Sequence, residues 1–223
     1  MDWGPLILTF QLATATTMIL FLISVPMAHW LLNSRSRIKS VIETLVSMPL
    51  VLPPTVLGFY FLIAFSPSNA FGKFLDQHMG LSLVFSFGGL VLASVIYSLP
   101  FMVHPIQSGL TGLSPSLTEA SYVMGKSKWQ TLLSVQLPNI KSSLFTGIIL
   151  TFAHTVGEFG VVLMIGGSIP GQTKVASIAI YEEVEAMNYA AANFYSIVLF
   201  IITFTILLVV YTSNGGYIKR FWK

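Results

Sequence analysis

Apolar residues run through this chain in five long blocks, at about 6–32, 41–65, 83–104, 142–166 and 193–212. Crossing a bilayer as a helix takes about 20 apolar residues, and each block is close to that length. The blocks lack the alternation of barrel strands. The pattern therefore predicts an all-α integral membrane protein with about five transmembrane helices. Between the third and fourth blocks lies a polar interruption, Ser114 to Pro138, reading SPSLTEASYVMGKSKWQTLLSVQLP. Ser116-Leu-Thr-Glu119 and Ser127-Lys-Trp-Gln130 both fit the capping-box spacing, a hydroxyl at the cap and Glu or Gln three residues on. Pro115 suits a first helical turn and Gly125 a left-handed stop. The interruption reads as helix, sharp turn, helix. Leu117, Ala120, Val123 and Met124 form an apolar edge on the first helix, and Trp129, Leu132, Leu133 and Leu137 on the second. Such a unit between spans is expected to dock onto a separate partner, the alternative being an amphipathic loop lying on the membrane surface.

Composition strengthens the membrane reading. The 223 residues are 54% hydrophobic and 9% charged, against roughly 25% charged in a soluble domain. The absence of cysteine excludes disulfides, cysteine-ligated zinc, iron–sulfur clusters and thiol nucleophiles. The first block follows Asp2 rather than a basic stretch and is long, so it is expected to be a permanent span and not a cleaved signal. No internal repeat is visible, which weighs against the inverted-repeat secondary transporters. No linker marks a second domain, so residues 1–223 are expected to form one membrane domain.

Charge gives the sidedness. Arg35, Arg37 and Lys39 lie between the first two blocks, Lys126, Lys128 and Lys141 in and just after the interruption, and Lys219, Arg220 and Lys223 at the C-terminus. These are nine of the eleven basic residues, and an odd number of spans puts all three groups on one side. The other side keeps Lys73 and Lys174 with Asp2, Asp76, Glu182, Glu183 and Glu185. The positive-inside rule then places the N-terminus outside, and the C-terminus and the helix–Gly–helix unit in the cytoplasm. The net charge of +3 is topological and calls for no nucleic-acid partner.

Glu119-Ala-Ser, then Gly125, then Leu137-Pro138 resembles the EAA signature of ABC importer permeases, with Ser121 where the pattern has a second alanine. The resemblance implies the type I (MetI-like) permease fold, in which this segment forms coupling helices seated in a groove of a cytoplasmic ATPase. Glu119, Ala120, Ser121 and Gly125 are the coupling positions that it implies. Two further stretches, Pro49-Leu-Val-Leu-Pro-Pro-Thr-Val-Leu-Gly58 and Gly157-Glu-Phe-Gly160 with Ser168-Ile-Pro-Gly-Gln-Thr173, resemble the molybdate/tungstate/sulfate permease group. That likeness extends from about Thr9 to Tyr211.

Ionisable residues inside spans are functional candidates by default. His154 and Glu158 are four apart and so share a helical face. Gly157 and Gly160 flank the glutamate and allow close helix approach or a local opening of the backbone. Glu158 is expected to hydrogen-bond another span and position a pathway, or only to pack. It is not expected to bind a dianion directly, because like charges repel at low dielectric. His154 falls where related permeases carry arginine. No H-E-x-x-H arrangement accompanies the pair, so metal and protease readings fail. Pro53 and Pro54 interrupt the second block near its middle, with Thr55 and Gly58 available to line the break. Pro100, His104 and Pro105 are expected to close the third span. After the turn at Ser168-Ile-Pro-Gly, residues 175–187 have the spacing of a short external helix over the pore mouth.

No Walker A loop occurs, so the chain is expected to bind no cofactor itself and to be no catalyst. The resemblance implies ATP and Mg on two partner ATPase subunits, a second copy of this chain, an external oxyanion-binding protein and surrounding lipid. The expected cargo is molybdate, with tungstate and sulfate or thiosulfate as alternatives. An ion-coupled secondary transporter using His154 and Glu158 as a proton relay is the alternative of another class.

Overall fold

The computed structural model describes residues 2–214, so the sidedness residues Lys219, Arg220 and Lys223 lie outside the described residues. The first block is helix α1 (Gly4–Asn33), with Pro5 in its first turn and Pro26 inside. Its buried face carries small residues, among them Thr9, Ala13, Thr16, Ser24 and Ala28. Small side chains let neighbouring backbones approach, which is how helices associate where lipid supplies no hydrophobic drive.

The second block is broken where the double proline was expected to interrupt it. It forms α2 (Ile38–Ser47), a tight turn at Met48–Leu50 and α3 (Pro54–Phe65), with 113° between the two halves. The cause is the double proline. Pro54 excludes Pro53 from helical geometry, and Pro53 sits at φ −55°, ψ 135°. Pro54 then opens a new helix, where its missing N–H costs nothing. A helix not anticipated follows, α4 (Ala70–Met79), bounded by Asn69 and by Gly80 at φ 62°.

Helix α5 (Phe87–Thr111) corrects an expectation, because Pro100 and Pro105 lie inside it and do not end it. In apolar surroundings the remaining backbone groups have no better partners than the helix itself. The polar interruption forms α6 (Pro115–Val123), α7 (Lys128–Thr131), a wider π turn over Leu132–Gln136 and the short α8 (Leu137–Asn139). The capping box at Ser127 is present in both directions. The one expected at Ser116 is not. Pro115 starts α6 directly, so Ser114 becomes the cap residue and Glu119 falls in the second turn.

The fourth block is also broken, into α9 (Lys141–Val156) and α10 (Gly160–Gly166), bent by 59°. Helix α11 (Ala176–Glu185) lies within the 175–187 stretch, and α12 (Tyr189–Asn214) completes the described chain. Lys174 reaches Glu182 at 2.5 Å and holds that carboxyl below the ordinary carboxylate range. Among the described residues, three helices are long and apolar enough to cross a membrane, α1, α5 and the Tyr189–Val209 part of α12, or up to five if each bent pair counts as one span.

Helices α1, α5 and α9 pack together, α10 lies against α3 and α5, and α12 covers α9 and α11. One core holds Leu20, Leu31, Met102, Ile106 and Leu132, and so anchors the second helix of the polar unit beneath α1 and α5. The other joins Leu12, Leu57, Leu90, Val161, Ile165 and Ile178 around the two breaks. Gly58 is where α3 meets α10: a Cβ there would lie 2.7 Å from Met164 Cβ and 3.1 Å from Val161 Cα. Gly58→Ala is expected to destabilise the detergent-solubilised protein by about 1–3 kcal/mol, read as a lower thermal midpoint. At Gly88 an added Cβ meets only Ser86 Oγ at 4.0 Å, so Gly88→Ala is expected to leave the midpoint unchanged or raise it.

Candidate functional site

The two breaks face each other across one cavity of about 500 Å³. Pro54 and Thr55 come from the start of α3, His154 and Gly157 from the end of α9, and Glu158, Phe159 and Gly160 from the second break. Tyr97 of α5 and Ala153 complete the wall. Six of the eight pathway candidates therefore converge. Pro53 stands at the first break outside this lining, and Gly58 one turn beyond serves helix contact. Gly160 brings the breaks together, since a Cβ on it would sit 3.0 Å from Pro54 Cβ and 3.2 Å from Thr55 Cγ2.

Glu158 organises the cavity from behind. Its residue is 4% exposed, so its carboxylate needs internal partners. Ser94 and Ser98, one turn apart on α5, both donate to it, Ser98 to Oε1 at 2.8 Å. Ser98 Oγ also lies 3.1 Å from Thr155 Oγ1 and 2.9 Å from His154 Nδ1. A hydroxyl has one proton, so with it committed to Glu158 the serine oxygen accepts from a protonated His154 Nδ1. The imidazole is held between Phe101, at 3.9 Å between ring centres, and Tyr97, at 4.9 Å. Glu158 lies past the end of α9 rather than on a continuous helix with His154, yet its Oε1 remains 3.7 Å from Nδ1. Among the described residues no group of three or more His, Asp or Glu could hold a metal ion.

Sequence reasoning missed the two serines. Their signal was present: Ser94 and Ser98 are polar residues at i and i+4 inside an apolar block, the spacing that presents two hydroxyls to one buried acceptor.

The polar unit lies apart from the cavity. Gly125 takes φ 79° and makes the turn, with open space around it. Glu119 and Ala120 are exposed, as are Val123, Met124 and Trp129. Ser121 is fully buried, and its hydroxyl meets Thr131 Oγ1 at 2.9 Å, so it ties α6 to α7 instead of lining the exposed face. Gln136 Nε2 adds a second tie, to Thr118 Oγ1 at 3.2 Å.

Replacing Glu158 leaves two buried serines without their acceptor. Glu158→Ala is expected to destabilise the purified protein by about 2 kcal/mol or more, and Ser94→Ala by about 1 kcal/mol. Thermal unfolding in detergent measures both. Equal, negligible losses would show that the carboxylate is not held as described.

Comparison with known proteins agrees with this architecture. Residues 13–223 match the family model of the binding-protein-dependent transport system inner membrane component. The chain is 44% identical to the molybdenum transport system permease protein of Azotobacter vinelandii, over 96% of this chain and 94% of that protein. It is 30% identical to a putative molybdenum transport system permease protein of Bacillus subtilis, over 91% of this chain and 89% of that one. Among solved structures, the MetNI methionine ABC transporter superposes with a TM-score of 0.73 at 17% identity, covering 95% of this chain and 94% of that chain. At that identity the likeness speaks for the fold alone. The chain belongs to this family of binding-protein-dependent inner membrane components, as the non-catalytic, multi-pass permease subunit of an ABC importer whose partner ATPase binds the ATP.

Proposed function

We propose that this permease imports molybdate, as a homodimer that engages two cytoplasmic ATPase subunits and an external oxyanion-binding protein. The observation that carries the cargo is the 44% identity to a molybdenum transport permease along nearly the full length of both chains. The paired breaks fit an anion path. Broken helices inside a membrane are tolerated where they face protein or a watery cavity. Helix α3, 12 residues long, begins at the cavity and turns the positive end of its dipole toward it. Thr55 adds a hydroxyl, while the buried Glu158 side chain is taken up by Ser94 and Ser98 on α5. Pro53, Pro54, Thr55, Gly157 and Gly160 shape the wall, Gly58 seats α3 on α10, and His154 closes the side near α5.

Sidedness supports the other half of the reading. Lys126, Lys128, Lys141, Arg35, Arg37 and Lys39 share a side with the polar unit, so that side is cytoplasmic and the N-terminus external. Glu119 and Ala120 then present the docking face to the ATPase, Gly125 sets its angle, and Ser121 holds it together. Leu132, buried in the core with Leu31 and Ile106, passes movement of the unit into α1 and α5.

A sulfate reading has its own support, because the chain is 33% identical over 182 residues to a probable sulfate transport permease of Prototheca wickerhamii. Uptake by the complete transporter in proteoliposomes separates the two. ATP-dependent uptake of labelled molybdate, out-competed by unlabelled molybdate and not by sulfate, is expected. Uptake blocked by sulfate alone contradicts the cargo, and uptake driven by a proton gradient without ATP contradicts the mechanism. Gly125→Val, which strains the φ 79° turn, is expected to abolish uptake and ATPase retention on the membrane while leaving the permease folded.

A further inference from the structure

Helix α11 is fastened to the second break at two points. Ser177 Oγ donates to the backbone carbonyl of Glu158 at 2.5 Å. The Tyr181 ring lies 5.2 Å from that of Phe159, the residue after Glu158 and part of the cavity wall. The near end of α11 is pinned as well, its Ala176 N–H donating to Thr9 Oγ1 of α1 at 2.8 Å. Its far end leads through residues 186–188 into α12, where Asn188 Nδ2 donates to Glu183 Oε2 at 2.7 Å, and leaves Val184 and Glu185 exposed. A short helix bonded to the break on one side and exposed on the other can act as a lever on that break.

The charge on that arm argues for what presses on it. Glu182, Glu183 and Glu185 surround the exposed face, and Lys174 pairs with Glu182. A bare dianion approaching this rim is repelled. A protein that carries the anion shielded, and offers basic residues at its edge, is attracted. We infer that α11 is the lever through which the docked external binding protein reaches the Gly157–Phe159 break, with Ser177 as the positioning residue. This rests on the proposed function for the external placement of α11 and for the identity of the carrier's cargo.

The contact is local to one carbonyl. Glu158 uses its side chain to grip α5 and its main-chain oxygen to receive Ser177, so one residue links the external lever, the break and the central helix. Tilting α11 pulls on a backbone that Gly157 leaves free to turn.

The test uses the assembled transporter in nanodiscs, with its binding protein loaded with molybdate. Two quantities are read for the wild type, Ser177→Ala and Ser177→Thr: the ratio of carrier-stimulated to basal ATP hydrolysis, and the Kd of the carrier for the transporter. Ser177→Ala is expected to lower the ratio about fivefold, the effect of one hydrogen bond, at unchanged Kd. Ser177→Thr, which keeps the hydroxyl, is expected to match the wild type. An unchanged ratio in Ser177→Ala overturns the proposal. So does a parallel loss of carrier affinity, which would mean that α11 had merely lost its shape. If the wild type answers to sulfate-loaded carrier instead, the cargo reading fails, and the same comparison with that carrier decides on Ser177.

Discussion

A carboxylate buried among membrane helices is stable only where donors reach it, and Glu158 finds them in Ser94 and Ser98. That bond sets much of the architecture. It fixes where α9 must stop, because a residue gripping α5 from the second break cannot continue the same helix. It also fixes where Gly160 lies, and Gly160 is the point at which the first break closes on the second. Removing the carboxylate would take away the side-chain bonds that tie the second break to the central helix.

The bilayer makes these breaks expensive and so makes them informative. Backbone at such breaks has no water in lipid, and here the start of α3 and residues 157–160 line one shared cavity. The resulting wall contains a helix start, a threonine hydroxyl and close-packed glycine, with the acidic side chain taken up by Ser94 and Ser98. An anion path needs that polarity. At the other end, the Gly125 turn and the Ser121–Thr131 bond make the polar unit stiff, and Leu132 roots it in the core. A rigid handle on a jointed wall is what an importer driven by a separate ATPase requires.

Much of this was legible from hydrophobic pattern and charge. Block length gave the all-helical membrane class, and the Gly125 turn with its Ser127 cap followed from short-range rules that tertiary contacts did not override. Prolines were harder to read. Pro53-Pro54 together redirected the chain by 113°, whereas Pro100 and Pro105, five residues apart, left α5 intact. The difference lies in spacing: adjacent prolines force one of them out of helical geometry, while separated ones each cost a single bond. The cap at Ser116 failed because Pro115 had already begun the helix. Ser94 and Ser98 were passed over because serine in an apolar block reads as packing until its acceptor on another helix is known. Ser121 showed the same limit, since family likeness marks a position without saying which way its side chain faces.

In the proposed mechanism the wall made by the two breaks lines a path that the ATPase opens and closes. The chain has no cysteine, so Thr55→Cys introduces a single thiol at that wall. Its labelling by a charged, membrane-impermeant reagent is best measured in the assembled transporter with and without a non-hydrolysable ATP analogue. Labelling from the aqueous phase is expected to change several-fold between the two states and to be protected by molybdate. A thiol that stays unlabelled in both states, or labels equally in both and ignores molybdate, would contradict that mechanism.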